Sequence, residues 1–434
     1  MSTHLDVYLD GTLAGRLTQT SGGALTFTYN ADYLARPEPT PLSLSMPLAA
    51  PRHGNRAVTA WLDGLLPDNP AVRQEWGRRF GVSARNPFAL LRVVGRDAAG
   101  AVQVLPPDLA PSDAARRSGR VQQLGDDELT RMLEALTLGD RGWEVGAGSG
   151  RWSLAGAQHK IALHRLPDGA WAVPLDATPT THILKPTRAG TRFDDLHINE
   201  YVCLAAAARL GLRVADVDLA LHGEARVLIS TRYDRGQTRS GAWVRLHQED
   251  VLQAMSYRPE QKYQQDGGPS VKEIARFFAL IPRRDRAALQ SAFFDLLAFN
   301  VLVGGTDAHA KNYSVLLRGS RVALAPLYDS ASYAPYLRPG ELLTSSMKIG
   351  TSWHVRDMTA DDWGHVGAAL GLSHEQAVAR VEQFRADLPA ALQDAAAAAP
   401  PAFTSEALRI ADAIAGQPHL RPRPLARAPR RRRH

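Results

Sequence analysis

Gly304-Gly305-Thr306-Asp307-Ala308-His309-Ala310-Lys311-Asn312 follows an apolar, helix-like stretch, Phe293 to Val303, and is the densest polar cluster of the chain. Asp307 and Asn312 stand five residues apart. The same Asp-x-x-x-x-Asn spacing occurs in protein-kinase catalytic loops, where the carboxylate takes a hydroxyl proton and the amide oxygen binds Mg²⁺. After a second apolar stretch, Val322 to Leu327, Tyr328-Asp329-Ser330 places a carboxylate where such enzymes keep a metal-chelating Asp. Asn312 and Asp329 are both hard oxygen donors of the kind Mg²⁺ takes when it bridges phosphates. Two other readings of the segment stay open. One is a transition-metal pair with His309 as ligand, against which stands the lack of a second His or a Cys nearby. The other is an Asp and an Asn that only cap turns.

Two further stretches support the phosphate chemistry. Thr181-His182-Ile183-Leu184-Lys185 reads as a strand that Pro186 ends, and a lysine closing a strand can reach nucleotide phosphates as the strand lysine of a kinase does. Glu200, in the first turns of a helix expected from His197 to Leu210, can serve as its ion-pair partner or simply complement the helix dipole. Ser153-Leu154-Ala155-Gly156-Ala157-Gln158-His159-Lys160 is a run of mostly small residues leading into a strand, where backbone N–H groups can cradle phosphate. Gly146-Ala147-Gly148-Ser149-Gly150 is a second candidate loop and reads equally well as a hinge.

The chain has 434 residues, 44% hydrophobic and 22% charged, which suits two or three globular units and excludes collagen-like, disordered and disulfide-scaffold classes. A single cysteine, Cys203, allows no internal disulfide. No uninterrupted apolar run reaches the roughly 18 residues of a membrane span. The opening MSTHLDVYLDG lacks the basic-then-apolar order of a signal peptide, so a cytoplasmic protein without a membrane partner is expected. The formal charge of +7 is concentrated in residues 418–434, which hold seven Arg and no acid; the rest balances at 44 basic against 44 acidic residues. Such a tail attracts phosphate backbones without reading sequence, or only solubilises a disordered end.

Along the chain, Asp10-Gly11 marks a hairpin between strand-like runs, and Pro67 and Pro70 interrupt a helical pattern from Ala57 to Phe80. The Pro- and Ser-rich stretch 106–119 is the best linker. Strands are expected at 160–164, 170–174, 217–221 and 225–233, and mostly helix from Val271 onward.

In combination these motifs resemble the HipA family of serine/threonine protein kinases, the toxin component of bacterial type II toxin–antitoxin modules. The resemblance spans nearly all of residues 1–390. It is carried by PLSLSMPL (41–48), LLPDN (65–69), SLAGAQHK (153–160), THILKP (181–186), NEY (199–201), RYDR (232–235), HQED (247–250), QQDGGP (264–269), GTDAHAKN (305–312), LYD (327–329) and MKIG (347–350). It implies an α+β chain with a bilobed protein-kinase-like fold, a small mixed α/β N-lobe and a mostly helical C-lobe, preceded by a small α/β amino-terminal domain. The expected division is 1–105, a linker at 106–124, the N-lobe at 125–235, the C-lobe at 236–417 and the tail at 418–434.

The resemblance also implies roles. Asp307 matches the general base, Asn312 and Asp329 the Mg²⁺ ligands, and Lys185 the phosphate-binding lysine. Ala155, Gly156, Ala157, Gln158, His159 and Lys160 match the phosphate loop, and Thr231, Arg232 and Tyr233 the adenine-contacting hinge. His309, Ala310, Lys311 and Asn312, with Tyr328 and Asp329, match the remaining ATP contacts. Ser153 is similar to the serine whose autophosphorylation switches family members off. The implied partners are a helix-turn-helix antitoxin, operator DNA through that antitoxin, and a protein substrate from translation such as an aminoacyl-tRNA synthetase. A small-molecule kinase and a catalytically silent DNA-bound corepressor are the rival readings. The intact set of Asp307, Asn312, Asp329 and Lys185 argues against the silent one.

Overall fold

Asp10 and Gly11 turn with φ of 45° and 77°, the left-handed pair that a two-residue hairpin requires. They join β1 (Thr3–Leu9) to β2 (Thr12–Gln19). With β3 (Leu25–Tyr29), β4 (Arg52–His53) and β5 (Val102–Leu105) they make an antiparallel sheet in the order β4-β3-β2-β1-β5. Three helices cover it: α1 (Asn55–Gly64), α2 (Pro70–Phe80) and α3 (Pro87–Val94). Pro67 and Pro70 do break the helical pattern, and Asn69 restarts it by accepting from the Ala71 N–H with Pro70 in the first turn. Leu5, Val7, Phe27, Trp61 and Leu91 close a core of their own. The computed structural model describes residues 3–109, 120–137, 153, 158, 160–175, 178–187, 190 and 192–421. Ala155, Gly156, Ala157, His159, the run 146–150 and the tail from 422 lie outside them.

The second sheet has the order β10-β11-β9-β7-β8-β6, built from β6 (Val121–Gln123), β7 (Ile161–Arg165), β8 (Trp171–Pro174), β9 (His182–Thr187), β10 (Val217–His222) and β11 (Ala225–Thr231). Two sequence expectations change here. The stretch 106–124 does not stay linker to its end, because β6 is already the edge strand paired with β8; three residues are too short for a periodic signal. Nor does β9 stop before Pro186. Pro186 pairs with Val227 of β11, while on the other side β7 has its last partner at Leu184, so the missing N–H falls where no neighbour needs it.

Helix α4 (Asp126–Thr137) covers this sheet, and α5 (Leu196–Arg209) joins it to the helical lobe. Ile198, Val202, Cys203, Leu204, Ala206 and Ala207 are all buried, so α5 does not have the single apolar face that its spacing suggests. It packs against β9–β11 on one side and against two C-lobe helices on the other. Those are the last two of α6 (Val271–Phe278), α7 (Arg283–Val303), α8 (Ala360–Ala369), α9 (His374–Ala397) and α10 (Thr404–Ala415). By length and composition α7 could cross a membrane, but 67% of its apolar window is buried in the lobe's core. Short strands interrupt the helices: β12 (Arg235–Gln237) with β13 (Trp243–Arg245), β14 (His247–Asp250) with β15 (Ser314–Arg318) and β16 (Arg321–Leu324), and β17 (Thr344–Ile349) with β18 (Ser352–His354).

Candidate active site

Lys185 lies on β9, which is flanked by β7 and β11, so its stem is enclosed and its amine is directed to whatever faces the sheet. Helix α5 brings Glu200 there. The Lys185 amine donates to both Glu200 oxygens, at 2.7 and 2.9 Å, and to Asp329 Oδ1 at 2.9 Å. Burial alone would favour the neutral amine, but Asp329 and Glu200 outweigh it and hold Lys185 above its ordinary pKa. In return the Lys185 charge holds Asp329 well below the usual carboxylate range. The pairing with Glu200 that the sequence leaves undecided is therefore present. Asp329 takes a left-handed backbone, φ 54°, a costly conformation for a residue with a Cβ, and leaves 42% of its side chain open to the cleft.

The loop Gly305–Asn312 starts where α7 ends. Gly304 caps that helix at φ 77°, and its N–H donates to Val301 O. Asn312 Nδ2 then donates to Asp307 O at 3.0 Å and to Asp329 O at 3.4 Å. Both amide hydrogens are thereby used, and the Asn312 side-chain oxygen is left as a hard acceptor in the cleft that the Asp329 carboxylate also lines. This pair fits Mg²⁺ completed by phosphate oxygens. Among the described residues no group of three His, Cys, Asp or Glu side chains could hold a metal, which disfavours the transition-metal reading of His309. Burial pulls His309 down to about 4, and its ring lies 5.0 Å, edge to face, from Tyr263. Asp307 itself is 70% exposed, and the Tyr263 hydroxyl donates to its Oδ1.

Ala310 is buried in the turn that carries the loop onward, and the Lys311 carbonyl accepts from the Tyr328 hydroxyl at 2.8 Å. Tyr328 and Tyr233 face each other with ring centres 5.4 Å apart, and Tyr233 donates to Gln248 at 3.1 Å. Thr231, Arg232, Tyr233, Gln158 and Lys160 line the same cleft of about 330 Å³ as Lys185, Asp307, Asn312 and Asp329. Burial pulls the Lys160 amine down to about 8. The Arg232 side chain, however, turns away: it is 2% exposed and bound to Asp234, Asp97 and Thr180. Only the Arg232 backbone is left to contact a nucleotide. Ser153 is fully buried, with its hydroxyl donating to Leu65 O at 2.6 Å and its N–H to Asp97 O at 2.8 Å. As seated, its hydroxyl has no open side from which a phosphoryl donor could reach it.

Three cleft residues escape sequence reasoning about roles. Tyr263, on Asp307, precedes a recognisable motif but carries no signal of its own. Asp250 caps a short helix and is pushed up to about 6 by burial. Asp68 belongs to another domain, and although its LLPDN motif is visible, its destination is not.

A lysine–glutamate pair on strand and helix, an Asp-x-x-x-x-Asn loop and a following Asp, all converging between a sheet lobe and a helical lobe, define the protein-kinase-like class of phosphotransferase. Within that class the chain belongs to the HipA family. Residues 152–392 match the HipA-like C-terminal domain and 5–105 the HipA N-terminal domain. Y4mE of Sinorhizobium fredii, a supposed kinase by name, is 36% identical over 88% of this chain and 93% of its own length. The serine/threonine-protein kinase toxin HipA of Shewanella oneidensis is 28% identical, covering 90% of each chain. The solved structure of that toxin–antitoxin system, HipA with HipB and operator DNA, superposes with a TM-score of 0.78 at 24% identity, over 94% of this chain and 96% of the other. The bilobed kinase-like fold after an amino-terminal domain is thus shared.

Proposed function

We propose that this chain is an ATP- and Mg²⁺-dependent kinase of protein Ser or Thr hydroxyls and the growth-arresting toxin of a toxin–antitoxin module. The carrying observation is the convergence of Lys185, Glu200, Asp329, Asp307 and Asn312 in one cleft. Lys185, held protonated, neutralises the α- and β-phosphates. Asn312 and Asp329 would hold Mg²⁺, which supplies charge neutralisation on the β- and γ-phosphates. Tyr263 occupies Asp307 Oδ1, so Oδ2 takes the acceptor's hydroxyl proton as the new O–P bond forms and the bond to the ADP oxygen breaks. Tyr233 and Tyr328 offer an aromatic wall beside the hinge for the base.

The Shewanella assembly supports the antitoxin and operator-DNA part of the partner reading, a helix-turn-helix antitoxin with DNA reached through it; a translation protein such as an aminoacyl-tRNA synthetase as substrate rests on the family resemblance alone. Self-inactivation at Ser153 fits its seat, because a phosphate of nearly two negative charges cannot return to a dry pocket whose acceptor is the Leu65 carbonyl. Intact mass before and after Mg²⁺-ATP tests the reading. The expected result is one added phosphate, on Ser153, in the wild type and none in Asp307→Ala. Protein that starts unphosphorylated, binds ATP, and modifies neither itself nor any protein of a cell extract would overturn it.

A further inference from the structure

The turn Leu65–Asn69 belongs to the amino-terminal domain, yet its Asp68 side chain enters the kinase cleft. The turn is braced on both sides. Arg73 donates to Pro67 O at 2.6 Å and to Asp63 Oδ1 at 3.0 Å, and Asn69 caps α2 immediately after Asp68. Asp68 is therefore aimed rather than free to swing. Its carboxylate, 12% exposed, accepts from the Lys311 amine at 2.7 Å and lies 4.0 Å from that of Lys262. Lys160, which lines the same cleft, adds its charge.

This placement has two opposed consequences. A carboxylate lining the cleft that must take triphosphate repels the nucleotide, and it occupies the Lys311 amine, so the side chain of this residue, which the family resemblance matches to an ATP contact, is on Asp68 rather than open to the phosphates. It also fixes the reactive loop. Lys311 adjoins Asn312 and stands four residues from Asp307, and its carbonyl is already held by Tyr328. Lys262, the second amine near Asp68, precedes Tyr263, which holds Asp307.

We propose that Asp68 is a positioning residue for phosphoryl transfer, supplied by the amino-terminal domain, which keeps Lys311 off the phosphates and sets the Asp307–Asn312 loop at the expense of ground-state nucleotide affinity. This rests on the kinase reading above. A brace that only stabilised the fold would weaken binding and transfer together when removed, whereas this arrangement moves them in opposite directions.

The test measures Mg²⁺-ADP affinity by calorimetry and single-turnover transfer from ATP, in the full chain, for wild type, Asp68→Asn, Lys311→Gln and the double variant. Asp68→Asn is expected to bind Mg²⁺-ADP about tenfold more tightly, as one like charge leaves the cleft and Lys311 is released to the phosphates. The same variant is expected to transfer about tenfold more slowly, as the loop loses its register. Adding Lys311→Gln to it should cancel the gain in affinity.

Asp68→Glu keeps the charge and serves should Asp68→Asn fail to fold; its affinity should stay within about threefold of wild type while transfer slows. Loss of both affinity and rate in Asp68→Asn, no change in either, or tightening that survives Lys311→Gln would overturn the proposal, as would a gain in affinity in Asp68→Glu. Wild-type protein that binds Mg²⁺-ADP and transfers phosphate neither to itself nor to any protein of a cell extract would instead bring down the kinase reading and leave the affinity arm standing. Wild-type protein that binds no nucleotide would bring down both.

Discussion

Two charge clusters sit close together, each gathered from distant parts of the chain, and they differ in what is left over. In the cleft, Lys185 and Glu200 pair with each other, while Asp329, partly exposed, and Asp307, largely exposed, keep oxygen lone pairs facing open space. Between the amino-terminal domain and the kinase lobes, Asp97 and Asp234 hold Arg232, Arg235 and Arg245 with side chains 0–7% exposed. Asp97 Oδ1 accepts from Arg235 and Arg245 at 2.9 Å each, and Oδ2 from Thr180 at 2.6 Å. Asp234 takes a bidentate pair from Arg232, at 2.9 and 2.8 Å, and the Gly100 N–H at 2.7 Å. A dry cluster with every carboxylate oxygen engaged can only hold domains together. A cluster with unspent lone pairs and access to solvent can do chemistry.

The contrast breaks first at Asp307. Asp307→Asn should lower transfer by about 10³-fold, the usual scale for a lost general base. Because Asp307 is exposed, its melting temperature should stay at the wild-type value; a large drop would make the residue structural. Asp97→Ala should do the reverse. It strands buried arginines, and denaturant unfolding should show a loss of about 3–5 kcal/mol. A stable Asp97→Ala protein that cannot bind nucleotide would erase the distinction between the clusters.

A third test uses the interface itself. Glu249 accepts from the Leu44 N–H at 2.7 Å, but its Oε2 has no partner, and burial pushes its pKa up to about 8. A carboxyl raised in the folded state costs stability above its unfolded value, about 4.3, and the cost grows as pH rises to the folded one. Glu249→Gln should therefore raise the melting temperature at pH 8 and leave it unchanged at pH 4; an equal rise at both would show packing, not ionisation, at work. The smallest effect concerns Asp97, which its three arginines hold below the ordinary range although burial opposes them. Its contribution is complete above the unfolded value of about 3.9 and is lost as pH falls below that. The wild-type acid-unfolding curve should steepen there, and an Asp97→Asn curve should not.

The cleft was more legible than its surroundings because phosphoryl transfer demands particular residue types at short spacings, so Asp307, Asn312 and Asp329 announce themselves. Lys185 is legible because a strand ends near it. Arg232 shows the limit: its neighbours line the cleft while its side chain belongs to the dry cluster, and nothing local distinguishes those destinations. The break at Pro67 and Pro70 is readable because what a proline does to a helix depends on its neighbours only.

By itself, then, the sequence determined the elements with local causes: the Asp10-Gly11 hairpin, the break at Pro67 and Pro70, and the donor types that chemistry requires. Tertiary structure decided every contact made across long sequence separations: Glu200 on Lys185, Leu65 on Ser153, Asp97 on three arginines, and Asp68 on Lys311. Those pairings depend on how an amino-terminal domain docks against two lobes. Docking is set by the summed shape and burial of whole faces, which no short stretch of residues encodes.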